Sequence, residues 1–225
     1  MEDVVERYLQ LKREVENYNK NARIVVVTKY ASDINSILKL YEAGATDFAE
    51  NYAQQLEKKI EELKINNLRW HFIGHLQKNK VKKVVPLVFL VQSLDSIDLA
   101  KKINQEASKL NKVQRCLIEL KVSYEDTKFG IKEDDIYKFV EEILSLNLNN
   151  LEIEGIMTMA PYFEDPQKTR PYFKKAYEIF WNIKKSYSDK LKNFEILSMG
   201  MSSDYKIALQ EGSNMVRIGS FLFKS

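Results

Sequence analysis

Apolar positions along this chain change period in a regular way. Val4, Tyr8, Leu11, Val15 and Tyr18 recur at helical spacing and predict an opening amphipathic helix. The unbroken run Ile24-Val-Val-Val27 is too short and too β-branched for a helix. Being apolar on both faces, it predicts a parallel strand covered on each side. The alternation then repeats. A helix over 34–41 stops at Gly44, followed by a strand at 47–50, a helix through Leu63, a strand at 69–73, a helix near 79–85 and a strand at 87–91. Helices over 96–110, 133–146, 167–187 and 204–210 then precede strands at 114–121, 151–156, 193–197 and 214–218, respectively. Strands that alternate with helices imply a parallel sheet, and eight such units imply closure into a (β/α)8 TIM barrel with an extra N-terminal helix. An open doubly wound sheet is the alternative, but it seldom needs so many regular units. No linker, low-complexity tract or proline-rich hinge interrupts the pattern, so residues 1–225 are expected to form one domain.

Bulk composition narrows the setting. Forty-four per cent hydrophobic residues over 225 positions suffice for a substantial core. Thirty-five basic residues against 32 acidic leave a formal charge of +3, too small to indicate a nucleic-acid partner. One cysteine, Cys116 within Cys116-Leu-Ile-Glu-Leu, cannot build a disulfide framework or a thiolate metal cluster and suits a reducing compartment. The acidic N-terminus lacks a signal peptide's apolar stretch, and no run of about 18 apolar residues would span a membrane. A soluble cytoplasmic protein without membrane or nucleic-acid partners is expected.

Chemistry in a barrel gathers at the C-terminal ends of its strands. There the chain places Thr28-Lys29-Tyr30, Glu50-Asn51-Tyr52, Gly74-His75-Leu76-Gln77, Gln92-Ser93 and Met157-Thr158-Met159. The last two strands lead into Ser198, Gly200, Ser202 and Ser203, and into Arg217, Gly219 and Ser220. Loops after the last two strands are the usual phosphate site of such barrels, so this tail predicts an anion cradle with one fixed cation beside it. Lys29 follows four apolar β-formers. At the end of a buried strand it would lose hydration, which favours the neutral, nucleophilic amine. Facing a phosphate cradle, that amine suggests a Schiff base to a phosphate-bearing aldehyde; the competing reading is a lysine that snorkels to the barrel rim. Arg217 favours the first reading, because an arginine beside a pyridine nitrogen is one known partner of pyridoxal phosphate.

Seven stretches carry a family likeness: Val25-Val-Val-Thr-Lys29, Phe48-Ala-Glu-Asn51-Tyr-Ala-Gln, Trp70-His-Phe-Ile-Gly-His-Leu-Gln-Lys-Asn-Lys80, Lys128-Phe-Gly-Ile, Gly155-Ile-Met-Thr-Met-Ala-Pro161, Leu197-Ser-Met-Gly-Met-Ser-Ser-Asp204 and Met215-Val-Arg-Ile-Gly219. In these the chain resembles the pyridoxal phosphate homeostasis family, whose barrel is similar to the alanine racemase N-terminal domain. The resemblance implies pyridoxal 5′-phosphate as cofactor, Lys29 as the Schiff-base lysine and Asn51 near the cofactor ring. It implies Ser202, Gly219 and Ser220 on the phosphate and Arg217 at the ring nitrogen. Ala49, where a glycine is usual, and Phe223-Lys-Ser, in place of a common Phe-Gly, are mild departures.

An arginine at the ring nitrogen disfavours ring protonation, which weakens the cofactor as an electron sink. Racemases also need a second base opposite the lysine, which in the alanine racemase family is a tyrosine from a separate β-domain. Because the sequence stops at Ser225, that domain is expected to be absent. Tyr30, Tyr52, Tyr162 and Tyr205 are near the site in sequence, but nothing sets one opposite Lys29. A carrier is therefore expected, not an enzyme: it would bind, store and pass on pyridoxal phosphate or related B6 vitamers, with dependent apoenzymes as candidate recipients, and act as a monomer. A fold-III enzyme such as an amino-acid racemase is the alternative. The basic run Gln77–Lys83 is read as a solvated helix face, His71 and His75 as unsuited to a metal, and the methionines at 157, 159, 199 and 201 as packing. Ser202 and Ser203 are expected to cap the following helix as well.

Overall fold

A computed structural model describes residues 3–31, 33–123 and 129–223. Lys128 of the fourth family stretch and Lys224-Ser225 at the end lie outside them. Helix α1 (Val4–Tyr18) opens on a capping box: Asp3 accepts the N–H of Val4 through its side chain, and Glu6 accepts that of Asp3. Its apolar stripe, Val4, Tyr8, Leu11 and Val15, is buried as the spacing predicts.

The described residues form nine strands: β1 (Arg23–Val27), β2 (Asp47–Glu50), β3 (Arg69–Phe72), β4 (Leu90–Leu94), β5 (Gln114–Lys121), β6 (Ile131–Lys132), β7 (Leu151–Thr158), β8 (Ile196–Ser198) and β9 (Met215–Ile218). All pair in parallel. The order β4-β3-β2-β1-β9-β8-β7-β5, with β4 also paired to β5, closes eight of them into a barrel. The two-residue β6 adds to the end of β5 and was not expected. Around the barrel stand α2 (Ile34–Glu42), α3 (Ala53–Leu63), α4 (Val81–Val84), α5 (Ile97–Lys109), α6 (Ile136–Ser145), α7 (Arg170–Ser186), α8 (Tyr205–Gln210) and the short α9 (Ser220–Phe223).

Two buried clusters explain why the strand runs are apolar on both faces. Val25, Val27, Ala49, Leu90, Leu117, Met157, Ile196 and Met215 pack inside the barrel. Val26, Phe48, Trp70, Phe72, Val91, Ile118, Leu197, Val216 and Ile218 point outward against the helices. Successive strand residues alternate between these faces.

Some boundaries differ from the periodicity. The fourth strand lies at Leu90–Leu94 rather than 87–91, because Val84 accepts the N–H of Leu87 in a turn after the helix and Phe89 only begins pairing with Trp70. Lys112 fixes that turn, donating to the carbonyls of Val85 and Val88. The helix expected near 79–85 is a 3-10 turn at Lys78–Lys80 followed by one α turn. The seventh barrel strand begins at Ile196, because Phe194 still closes a turn onto Leu191.

Candidate functional site

The cradle anticipated after the last two strands is a hydrogen-bonded junction between them. Ser202 Oγ accepts the backbone N–H groups of Gly219 at 3.3 Å and Phe221 at 3.2 Å. Arg217 N–H donates to Gly200 O, and Met199 N–H to Met215 O, so the two loops are tied at three levels. Ser220, between the two N–H donors, opens α9. Gly200 has φ +98°, and a Cβ there would meet Ala208 Cβ at 2.6 Å, so only glycine lets this loop pass α8. Ser202 and Ser203 do not cap α8. Asp204 precedes that helix and turns its carboxylate back onto Met201 N–H at 2.6 Å, while Ser203 is exposed.

Arg217 points into the barrel and is 3% exposed. Its Nη1 donates to Ser198 Oγ at 2.7 Å and its Nη2 to Thr158 O at 2.9 Å. Burial lowers its pKa to about 10, partly opposed by Asp204 and Glu119, so it stays charged near neutrality. A cation held in a water-poor interior beside the loop cradle is a strong local field for an anion or a ring nitrogen.

Lys29 is positioned differently from expectation. β1 ends at Val27, and Thr28–Tyr30 form a 3-10 turn in which Thr28 is buried and Lys29 is exposed. The ammonium lies 4.9 Å from the centre of the Tyr30 ring and faces a groove of about 440 Å³ lined by Glu50, Tyr52, Lys58 and Lys59. The desolvation expected of a strand-end lysine is therefore not supplied by burial here. The turn itself is anchored: Lys59 donates to Thr28 O and Glu50, and Thr28 Oγ1 donates to Ala49 O. It also abuts the cradle, since a Cβ on Gly219 would meet Tyr30 Cδ2 at 2.7 Å and Val27 O at 3.0 Å.

Asn51 follows β2 and lines an adjoining cavity of about 660 Å³ with Tyr52, Ile73, His75, Glu119, Phe129 and Met159. Its Oδ1 is buried and has no hydrogen-bond partner. Tyr52 borders both the Lys29 groove and this cavity, so the two concavities share a wall. Glu119 was missed by the sequence reading. It is 5% exposed, and burial together with the charge of Asp95 raises its pKa to about 7 against the pull of Arg217. The available signal was one charge inside Cys116-Leu-Ile-Glu-Leu, a run considered only for its cysteine.

The histidines separate as anticipated for residues on either side of a strand end. His71 is inside the barrel between Asp47 and Gln92, whereas His75 on the rim stacks on Phe129 and pairs with Asp95. Among the described residues no group of three or more His, Cys, Asp or Glu side chains is arranged to hold a metal. None of their helices is long and apolar enough to cross a membrane. Among the tyrosines near the strand ends, Tyr205 packs its backbone against Gly200 and donates its hydroxyl to Glu14, and Tyr52 and Tyr162 are 67% and 79% exposed.

Comparison with known proteins agrees with this fold. The family model described as alanine racemase, N-terminal domain, matches residues 2–225. The pyridoxal phosphate homeostasis protein of Aquifex aeolicus is 42% identical over 187 residues, covering 83% of this chain and 80% of its own length. Its namesake from Helicobacter pylori (strain ATCC 700392 / 26695) is 34% identical over 203 residues, covering 90% and 87%. PipY of Synechococcus elongatus PCC7942, solved without PLP, superposes with a TM-score of 0.89 at 28% identity, covering 98% of this chain and 100% of that one. The same protein with PLP bound gives 0.89 at 27% identity, with the same coverage. The chain belongs to the pyridoxal phosphate homeostasis protein family, built on the barrel of the alanine racemase N-terminal domain.

Proposed function

We propose that this chain binds pyridoxal 5′-phosphate at the C-terminal mouth of its barrel and serves the homeostasis of that cofactor, holding it, storing it and passing it on. The observation that carries the reading is the junction at Ser202, where two backbone N–H groups converge on one oxygen beside a buried arginine. A phosphate oxygen takes the same kind of bond, and the donors sit at the start of α9 where the backbone is electropositive. The residues present fit the group: Asn51 Oδ1 is a buried acceptor awaiting a donor, and Arg217 offers a desolvated cation.

When bound, the cofactor supplies an aldehyde that condenses reversibly with a primary amine. In this reading Lys29 provides the amine, Ser202, Gly219 and Ser220 hold the phosphate, Asn51 flanks the ring and Arg217 faces its nitrogen. The exposed position of Lys29 suits a protein that must both take up and release its load. Curated relatives bear the name of homeostasis proteins, which favours a carrier over a racemase. Cytoplasmic residence, a monomeric state, residues 1–225 as one domain and delivery to dependent apoenzymes belong to the same proposal.

The deciding experiment is the visible spectrum of the purified protein with added pyridoxal phosphate, before and after borohydride, for wild type and Lys29→Ala. An absorbance band that borohydride bleaches, with cofactor mass locked onto Lys29, supports the reading. A wild type that takes up no cofactor overturns it. Steady interconversion of amino-acid enantiomers, scored by chiral chromatography, would replace the carrier with an enzyme.

A further inference from the structure

One continuous line of hydrogen bonds crosses the barrel interior and ends on Arg217. Asp47, the first residue of β2, is held by Arg69 and Thr46 and contacts His71 Nε2 at 2.9 Å. His71 Nδ1 meets Gln92 Nε2 at 2.9 Å, and Gln92 Oε1 accepts from Ser198 Oγ at 2.6 Å. Ser198 Oγ in turn accepts from Arg217 Nη1 at 2.7 Å. His71, Gln92 and Ser198 are each 0% exposed, so these three bonds lie out of reach of bulk solvent.

We infer that Gln92 and His71 are positioning residues for Arg217, and that the Asp47 carboxylate sets the direction of every bond in the line. The inference deepens the proposed cofactor reading and rests on it for the role of Arg217. The argument is one of donor and acceptor inventory. Ionised Asp47 only accepts, so His71 must present Nε2–H to it. In the neutral ring Nδ1 is then a lone pair, which only the amide NH2 of Gln92 can satisfy. Its second N–H points at Met215 Sδ, 3.4 Å away. Gln92 Oε1 therefore faces Ser198, whose single hydroxyl proton goes to it and whose lone pair is left for Arg217. With the opposite amide orientation, His71 Nδ1 would have to donate and a bare Nε2 would face the carboxylate. Burial, which favours the neutral imidazole, acts in the same sense. The consequence is a guanidinium whose Nη1 and Nη2 are both engaged, by Ser198 and Thr158, before any ligand arrives, so no reorganisation is required on binding.

The chain contains only two histidines, so 15N spectra of histidine-labelled protein resolve His71 against His75. Expected for His71 is the Nε2–H tautomer with an unprotonated Nδ1, unchanged from pH 5 to 8. A protonated Nδ1, or titration in that range, overturns the inference without reference to any cofactor. In parallel, pyridoxal phosphate affinity is read by absorbance titration. Gln92→Met, which removes the acceptor for Ser198, is expected to weaken binding about tenfold, the scale on which supporting-residue changes act. Gln92→Glu, which keeps that acceptor but has no donor for His71, is expected to regain most of the affinity while His71 gains a second proton. Met157→Leu, in the same interior layer but outside the line, controls for general loosening and is expected to bind as wild type. If wild type binds and Gln92→Met binds equally well, the inference fails. If wild type takes up no cofactor, the cofactor reading fails and the tautomer decides the line by itself.

Discussion

Gly74 packs directly onto the backbone of Asn51: a Cβ at position 74 would overlap the Asn51 carbonyl oxygen and approach its Cα at 2.9 Å. The end of β3 thus fixes the peptide that carries the site asparagine. Because the obstructing atoms are backbone, Gly74→Ala is expected to displace Asn51 and to cost about 1–3 kcal/mol in stability, as overpacking does. Cofactor affinity should fall with it. Urea denaturation and absorbance titration on one preparation check both, and a variant with wild-type values of each would show that the contact is dispensable.

Ser202 is the oxygen on which Gly219 and Phe221 converge. In Ser202→Ala the two N–H groups lose their acceptor, at an expected cost of about 1–2 kcal/mol. Competition by inorganic phosphate against pyridoxal phosphate should weaken in the variant. Unchanged competition would move the anion site elsewhere on the rim.

Glu119 gives a pH signature. Burial and Asp95 raise its folded pKa to about 7 from an ordinary 4.5, so the folded state holds its proton more tightly than the unfolded chain does. The folded state is therefore penalised as pH rises, from about 4.5 until the penalty is complete near 7. Glu119→Gln is expected to be more stable than wild type at pH 8 by about 2–3 kcal/mol, with the gap closing toward pH 4.5. Denaturation midpoints at pH 4.5, 6 and 8 test it; a gap independent of pH would mean the carboxyl is not titrating in the fold.

Asp47 has the opposite sign. Burial alone would raise its pKa, but hydrogen bonds from His71 and Arg69 outweigh that and hold it well below the usual carboxylate range. A depressed folded pKa contributes stability that is present above the unfolded value near pH 4 and lost as pH falls below it. Asp47→Asn should therefore be destabilised at pH 7 by roughly 2–3 kcal/mol, and the difference should shrink toward pH 2. A difference as large at pH 2 as at pH 7 would assign the loss to packing rather than charge.

Much of the architecture was legible because burial on two faces leaves a mark in sequence. Val25 and Val27 line the interior while Val26 faces the helices, and a strand wrapped on both sides has to be apolar throughout. The opening helix was equally plain, since one stripe is buried and the rest is wet. Boundaries slipped where apolar residues serve turns, as Leu87 and Phe89 do before β4. At the site, the position of the two loops after the last strands was legible from where those strands end, whereas the exposure of Lys29 was not: a lysine at the end of a buried strand is expected to lose hydration, but the chain turns after Val27 and leaves the amine exposed.

The sequence by itself determined the (β/α)8 barrel, the face on which its chemistry gathers and the family to which it belongs. Those follow from periodicity and from short stretches whose residue types are readable one strand at a time. Only the tertiary structure decided which polar groups meet inside: that Gln92, expected on a rim, lies between His71 and Ser198, and that Glu119 shares a cavity with Asn51. Closure of the sheet brings β3, β4, β8 and β9 around one axis, and a contact between residues about a hundred positions apart leaves no period in the chain from which to infer it.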